Sequence, residues 1–365
     1  MKNQFNEAMA REWLQMLQTA QMEPSYPESL NIQASAFHPL EMRQRIALLG
    51  EALYDAFDRN YDHLAAAAFQ VFKLWPEPTE ISWKEGAKLE PLSYVVEKYG
   101  LDHFETSMRL MEAITIRFTS EFAIRPYLMV HPEAALNQMI QWSKSPNEHL
   151  RRLASEGSRT RLPWGKKLHQ FIAQPQRTLP ILEQLRNDPS LYVRRSVANH
   201  LNDILKDNSE YAMGILEKWS REKDPGTQWI VKHALRVKVK EGNTQALKIL
   251  GFESTDSVTG MLRCQPTKLL FPGELTLEFQ LKNESNRAQK LAIDLKVDFV
   301  KASGKTAPKV FKGLVWHAQP FEEKNFTRKI SIKPITTRTY YPGVHTVAIQ
   351  VNGKTVMSDS FHLIK

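Results

Sequence analysis

The stretch 188-DPSLYVRRSVANHLNDILKD-207 decides how the first two thirds of the chain is read. Leu191, Val193, Val197, Leu201 and Ile204 supply apolar contacts at helical spacing. Arg195, Asn199 and Asp203 follow one another at intervals of four and so share a polar face of the same helix. Two other segments repeat the design, 145-SPNEHLRRLAS-155 and 224-DPGTQWIVKHAL-235, each with a proline near its first turn. Aligning Arg152 with Arg195 gives a spacing of 43, and Arg195 with Lys232 a spacing of 37. That register makes Glu156, Asn199 and Arg236 equivalent, and one turn further on it matches Asp203 with Lys240.

Periods near 40 with paired helices are what HEAT-like solenoids show. Stacked repeats would align the polar stripes on the concave surface. A row of solvated salt bridges is the plainer explanation of such a stripe. Acids and an asparagine set into a line of arginines and lysines fit that explanation less well.

Helical spacing extends through the rest of the first 250 residues, as in 39-PLEMRQRIALLGEALYDAF-57 and 101-LDHFETSMRLMEAITIRF-118. Short Pro- or Gly-bearing breaks separate the segments. After about residue 253 the texture changes to period-two alternation, in LTLEFQLKN, LAIDLKVDFV, RKISIKP and HTVAIQVNGKTVMSDSFHLI. Asn352-Gly353 between two alternating runs predicts a tight hairpin. About seven short strands are expected, with 340-YYPGVHTVAIQV-351 entering the penultimate one and His345 near the place where such folds often put a corner tyrosine. The expected architecture is therefore an all-α HEAT-like repeat solenoid over 1–253, followed by an all-β immunoglobulin-like sandwich over 254–365.

The chain has 365 residues, more than one core usually serves. No apolar run approaches the roughly 20 residues a membrane helix needs, and Glu7 and Glu12 interrupt the N-terminal pattern, so neither a membrane span nor a signal peptide is expected. A single cysteine, Cys264, leaves no internal disulfide framework and fits a reducing compartment. The net charge of +9 is uneven: −7 over 1–140, +9 over 141–250 and +7 over 251–365. A polyanion such as nucleic acid accounts for that asymmetry, and a solvated basic face is the other explanation.

Searching for chemistry leaves few candidates. The 11 histidines are scattered, with no metal-ligand spacing, no phosphate-binding glycine loop and no nucleophile elbow. What remains is 154-ASEGSRTRLPWG-165. Arg152 and Glu156 form an i,i+4 pair, and Gly157 is placed to end their helix in a left-handed conformation. Ser158, Arg159 and Arg161 are then expected to protrude from a loop, where arginine forks suit phosphates. Pro163-Trp164 would give a stiff element with a large π-face. In 119-TSEFAIRPYL-128, Glu121 and Arg125 are again four apart, and Pro126 is expected to break the helix.

HLRRLASEGSRTRLPWG, YVRRSVANHLNDILKD and SEFAIRPYL, in that spacing along residues 1–250, resemble the AlkC branch of the AlkC/AlkD-type DNA alkylation repair glycosylases. The C-terminal half looks like the immunoglobulin-like extension some of these proteins carry. The resemblance implies excision of cationic N-alkylated bases, chiefly 3-methyladenine and 3-methylcytosine, from double-stranded DNA in base excision repair, without an ordinary base-flipping pocket. It implies Glu121, Glu156, Trp164 and Asp203 as active-site residues. Arg152, Ser158, Arg159, Arg161, Arg195, Asn199, Lys232 and Arg236 are the expected DNA-binding set. No cofactor and no metal is implied, and a monomer in the bacterial cytosol is expected.

The chemistry is consistent with those residues. An N3-alkylated adenine is already cationic, so the base needs no protonation to leave. Breaking the bond generates an oxocarbenium-like sugar, which calls for negative charge and a placed water. A non-catalytic HEAT-like scaffold that binds nucleic acid or protein is the alternative. For it, carboxylates on the polyanion-facing stripe would be a cost without return.

Overall fold

The computed structural model describes residues 2–78, 81–252, 256–336 and 338–365. It forms two compact units, residues 1–212 with 224–230, and residues 213–223 with 231–365. The expected boundary between 253 and 254 lies outside the described residues. Lys232 and Arg236 belong to the second unit, whereas Glu121, Glu156, Trp164, Arg195 and Asp203 belong to the first.

The first unit is helical throughout, and its repeat is visible in individual hydrogen bonds. Arg151 Nη1 donates to the carbonyls of Ser145 and Pro146 at 3.0 and 2.8 Å. Arg194 Nη1, 43 residues on, donates to the carbonyls of Asp188 and Pro189 at 2.6 and 2.8 Å. Each arginine folds back over the Pro-bearing turn that opens its own helix. The next residue in each pair, Arg152 or Arg195, lies about 100° further round its helix. The helices carrying them, Glu148–Gly157 and Leu191–Asp207, pack against each other.

Val193, Val197, Leu201 and Ile204 are buried as their spacing predicts, but Leu191, the first residue of its helix, is exposed. Pro126 does not break a helix. It is the third residue of Ile124–Val130, in a first turn where its missing N–H costs no hydrogen bond. Gly157 is not left-handed; it is the last residue of its helix, and its bareness serves packing. A Cβ there would lie 2.7 Å from Ile124 Cγ2 and 2.9 Å from Met139 Cε. The left-handed residue of this segment is Trp164, at φ +63°.

The second unit contains eight strands: β1 (Val258–Gln265), β2 (Lys268–Leu270), β3 (Gly273–Asn283), β4 (Gln289–Val300), β5 (Thr306–Ala318), β6 (Glu323–Ile332), β7 (Gly343–Val351) and β8 (Lys354–Ile364). They form a three-stranded sheet ordered β1-β3-β6 and a five-stranded sheet ordered β2-β8-β7-β4-β5. Alternation in β3 and β4 turns Leu275, Leu277, Leu281, Leu291, Ile293, Leu295 and Val297 into one core. Val351 pairs with Lys354 across Asn352-Gly353, both at positive φ, so the hairpin turn is of the mirror-image type the dipeptide favours. His345 is buried in β7; its Nδ1 accepts from Val300 N–H and its Nε2 donates to the Tyr341 carbonyl at 3.1 Å. A neutral imidazole thus ties the corner to the sheet as a tyrosine hydroxyl would.

Filling the space at Gly157 should loosen the junction of three helices. Gly157→Ala is expected to lower unfolding free energy by about 1–3 kcal/mol, measured by urea denaturation.

Candidate active site

Arg125 organises the segment that follows the Glu148–Gly157 helix. Its buried guanidinium donates from Nη1 to the Gly157 and Arg159 carbonyls at 2.9 and 3.0 Å, and from Nε to the Lys166 carbonyl at 2.7 Å. Both ends of residues 157–166 are therefore fixed to one side chain. Burial, together with the neighbouring Arg159, brings Arg125 down to about 10, still a cation at neutral pH. Arg125 does not pair with Glu121, the partner four residues away that the sequence suggested; Glu121 pairs instead with Arg152.

Within that frame acids and bases alternate. Arg152 binds Glu121 and lies 3.6 Å from Glu156. Arg159 Nη1 donates to Glu156 Oε1 at 2.6 Å, while its Nε donates to Asp203 Oδ2 at 2.8 Å. Lys206 Nζ meets Asp203 Oδ1 at 2.9 Å, and Ser196 Oγ–H donates to Glu156 Oε2 at 2.6 Å. The result is one continuous line, Glu121, Arg152, Glu156, Arg159, Asp203, Lys206. Glu156 and Asp203 come from neighbouring repeat helices and are held one guanidinium apart. Burial alone would raise Glu156, but Arg152, Arg159 and the Ser196 hydroxyl outweigh it and hold the carboxyl below its ordinary value. The imidazole closest to this line, His200, is fully buried and pushed down to about 3, so it stays neutral and offers no proton.

The expected set of protruding loop cations needs correction. Ser158 is buried, its hydroxyl donating to the Ala154 carbonyl at 2.6 Å, and Arg159 is buried between its two carboxylates. Arg161 is half-buried and pairs with Asp207 at 2.6 Å. Arg195 is exposed, and Asn199 lies one turn beyond it, partly buried. Trp164 is 82 % exposed, the most exposed large apolar side chain among the described residues. Accessibility falls along the acid line, from 16 % for the Glu121 side chain to 9 % for Glu156 and 2 % for Asp203, which lies beneath Lys206. Sequence reasoning missed Ser196 and Lys206. Lys206 had a signal, standing one turn past Asp203 on the same stripe. Ser196 had none, because its role depends on the offset between two helices. Among the described residues no group of three His, Cys, Asp or Glu is arranged to hold a metal.

A helical solenoid with a buried, cation-laced acid row, joined in one chain to a β-sandwich, defines a narrow class. The DNA alkylation repair enzyme family model matches residues 99–237, which carry the whole acid row. The model of the C-terminal Ig-like domain of uncharacterised protein YhaZ matches residues 259–365. The chain is 45% identical to uncharacterized protein YhaZ of Bacillus subtilis (strain 168), over 73% of this chain and 74% of that one. It is 34% identical to the alkylpurine DNA glycosylase AlkC of Pseudomonas fluorescens, solved bound to DNA containing an abasic site analog. That match has a TM-score of 0.86 and covers 100% of this chain and 99% of the other. The chain belongs to the AlkC-type family of DNA alkylation repair enzymes.

Removing Arg159 would leave two buried carboxylates facing each other. Arg159→Ala is expected to cost about 3–5 kcal/mol of stability, read from denaturant unfolding at neutral pH. A carboxyl held low contributes stability above its ordinary 4.5 and loses it as pH falls through the depressed value. The stability difference between wild type and Glu156→Gln should therefore shrink on acidification below about 4.

Proposed function

We propose that this chain is a DNA glycosylase that hydrolyses the N-glycosyl bond of cationic N-alkylated bases in duplex DNA, 3-methyladenine and 3-methylcytosine being its expected substrates. The observation that carries the reading is the acid row itself: carboxylates each paired with a cation in a partly dry setting, with the exposed Trp164 on the same segment as Arg159. A cationic base is already a good leaving group, so the missing proton donor is no handicap. The demanding part is the sugar, which becomes positive as the bond stretches.

Carboxylates aimed at developing positive charge stabilise it without reorganising, because their own hydrogen bonds are already in place. Glu121 and Glu156 are the more accessible. Asp203 becomes available if the Lys206 ammonium, whose side chain is 53 % exposed, moves to a DNA phosphate. A carboxylate has about four acceptor positions, so Glu156 can hold Arg159 and Ser196 and still orient an attacking water. Trp164 offers a flat face to the nucleoside. The exposed Arg195 is assigned to the phosphate backbone, and Arg159 to keeping Glu156 and Asp203 together. Lesion access without base flipping belongs to the same proposal.

The test is release of base from methylated duplex DNA in single turnover with enzyme in excess. Glu156→Gln and Asp203→Asn keep shape and lose charge. Each should slow excision of 3-methyladenine by about 100- to 1000-fold, the equivalent of about 3–4 kcal/mol, with DNA affinity equal or tighter. Wild-type rates in both variants would reject the assignment. No release by the wild type on any alkylated substrate would favour the binding-scaffold alternative. Separately, Arg195→Ala should leave stability unchanged and reduce the slope of log affinity against log salt by about one unit.

A further inference from the structure

A groove of about 500 Å³ is lined by Trp164 and by Phe122, the residue that follows Glu121 in the chain. Trp164 stands at one edge, and Phe122, Tyr94 and Trp83 supply further aromatic surface. The walls are pinned. Trp83 Nε1–H donates to Gln4 at 3.0 Å, Tyr94 O–H donates to Glu51 at 2.8 Å, and the Arg43 guanidinium stacks 4.8 Å from the Phe122 ring centroid. Set into this surface is Glu90, first residue of the helix Glu90–Tyr99. Among the described residues its carboxyl has no hydrogen-bond or ion-pair partner, whereas Glu121, Glu156 and Asp203 are each tied to a cation.

We propose that this groove binds the alkyladenine base set free by the reaction, stacked on the aromatic walls, with the Glu90 carboxyl at its N6/N7 edge. The inference rests on the glycosylase reading for the identity of its ligand. A carboxylic acid presents one O–H donor beside one carbonyl acceptor. Adenine presents an acceptor at N7 beside an amino donor at N6, the edge that asparagine and glutamine amides bind in two-point fashion. An alkyl group at N3 leaves that edge intact.

The charged surroundings favour the acid form. Enclosure raises Glu90 most, Glu121 across the groove and Glu97 one helical stretch away raise it further, and Arg43 from the facing helix Met42–Asp55 opposes them; the carboxyl reaches about 7. Lys98 and Lys166 also line the groove; Lys98 is committed to Glu51 at 2.6 Å. Binding should therefore weaken as pH rises and the donor is lost.

The experiment titrates the full chain with free 3-methyladenine, followed by quenching of tryptophan fluorescence, from about pH 6 to about pH 9. Wild type should bind, with affinity falling about tenfold per pH unit above the carboxyl's value. Glu90→Gln, which keeps donor and acceptor, should bind with no such pH dependence. Glu90→Ala should lose at least about tenfold at pH 6. Equal affinity of wild type and Glu90→Ala for 3-methyladenine would overturn the proposal, as would no binding by an enzyme active on DNA. Glu156→Gln separates the two readings. It should bind free base like the wild type while failing to excise, and a wild type that binds base but releases none would refute the glycosylase reading and leave the groove standing.

Discussion

Arg159 lies between Glu156 and Asp203, at 2.6 and 2.8 Å, and the rest of the site depends on that bridge. Two carboxylates brought together in a weakly solvated place repel each other and tend to take up protons. A guanidinium with donors on two edges satisfies both at once and offsets their repulsion. Much of the surrounding structure serves to put Arg159 there. Arg125 secures the backbone of its segment, Gly157 lets the helices approach, and the 43-residue repeat sets Asp203 one turn beyond the level of Glu156.

Under the proposed function this arrangement would let acids stand on a DNA-facing side: Glu121, Glu156 and Asp203 are each paired with a cation, so phosphates would meet little net repulsion. A sugar turning positive within hydrogen-bonding range would meet carboxylate oxygens first. The same groups answer two partners differently because electrostatic interaction at a few ångströms is set by the nearest charge, while at longer range the pairs cancel. The cost is rigidity. Each acid is committed to a partner, and Asp203 is accessible only when Lys206 leaves it.

Much of this was legible in the sequence, and the reasons for the failures are physical. The two-part architecture followed from a change in period, 3.6 before about residue 253 and two after it. The register between the segments carrying Arg152 and Arg195 held, since Arg151 and Arg194 perform the same backbone task, and the hairpin at Asn352-Gly353 followed from its demand for positive φ. Glu156 and Asp203 were placed together from register alone. What misled was treating 157–165 as an exposed loop. Composition cannot tell an arginine that reaches for phosphate from one whose carboxylate partner is 44 residues away, as Asp203 is from Arg159. Likewise the left-handed residue is Trp164 and not Gly157, because steric closeness and backbone handedness can both call for a glycine and look alike in one sequence. The Glu90 groove left no pattern, since its walls come from residues between 42 and 166.

The central claim is that fixed negative charge in this site meets positive charge on the sugar. It is tested most directly by comparing wild-type affinity for two duplexes, one with a neutral tetrahydrofuran abasic analogue and one with a cationic pyrrolidine in its place. The account predicts that the pyrrolidine duplex binds at least about 100-fold tighter, as an analogue of the charged transition state should, and that Glu156→Gln and Asp203→Asn erase most of that preference. Equal affinity for the two duplexes, or a preference unchanged in both variants, would contradict it.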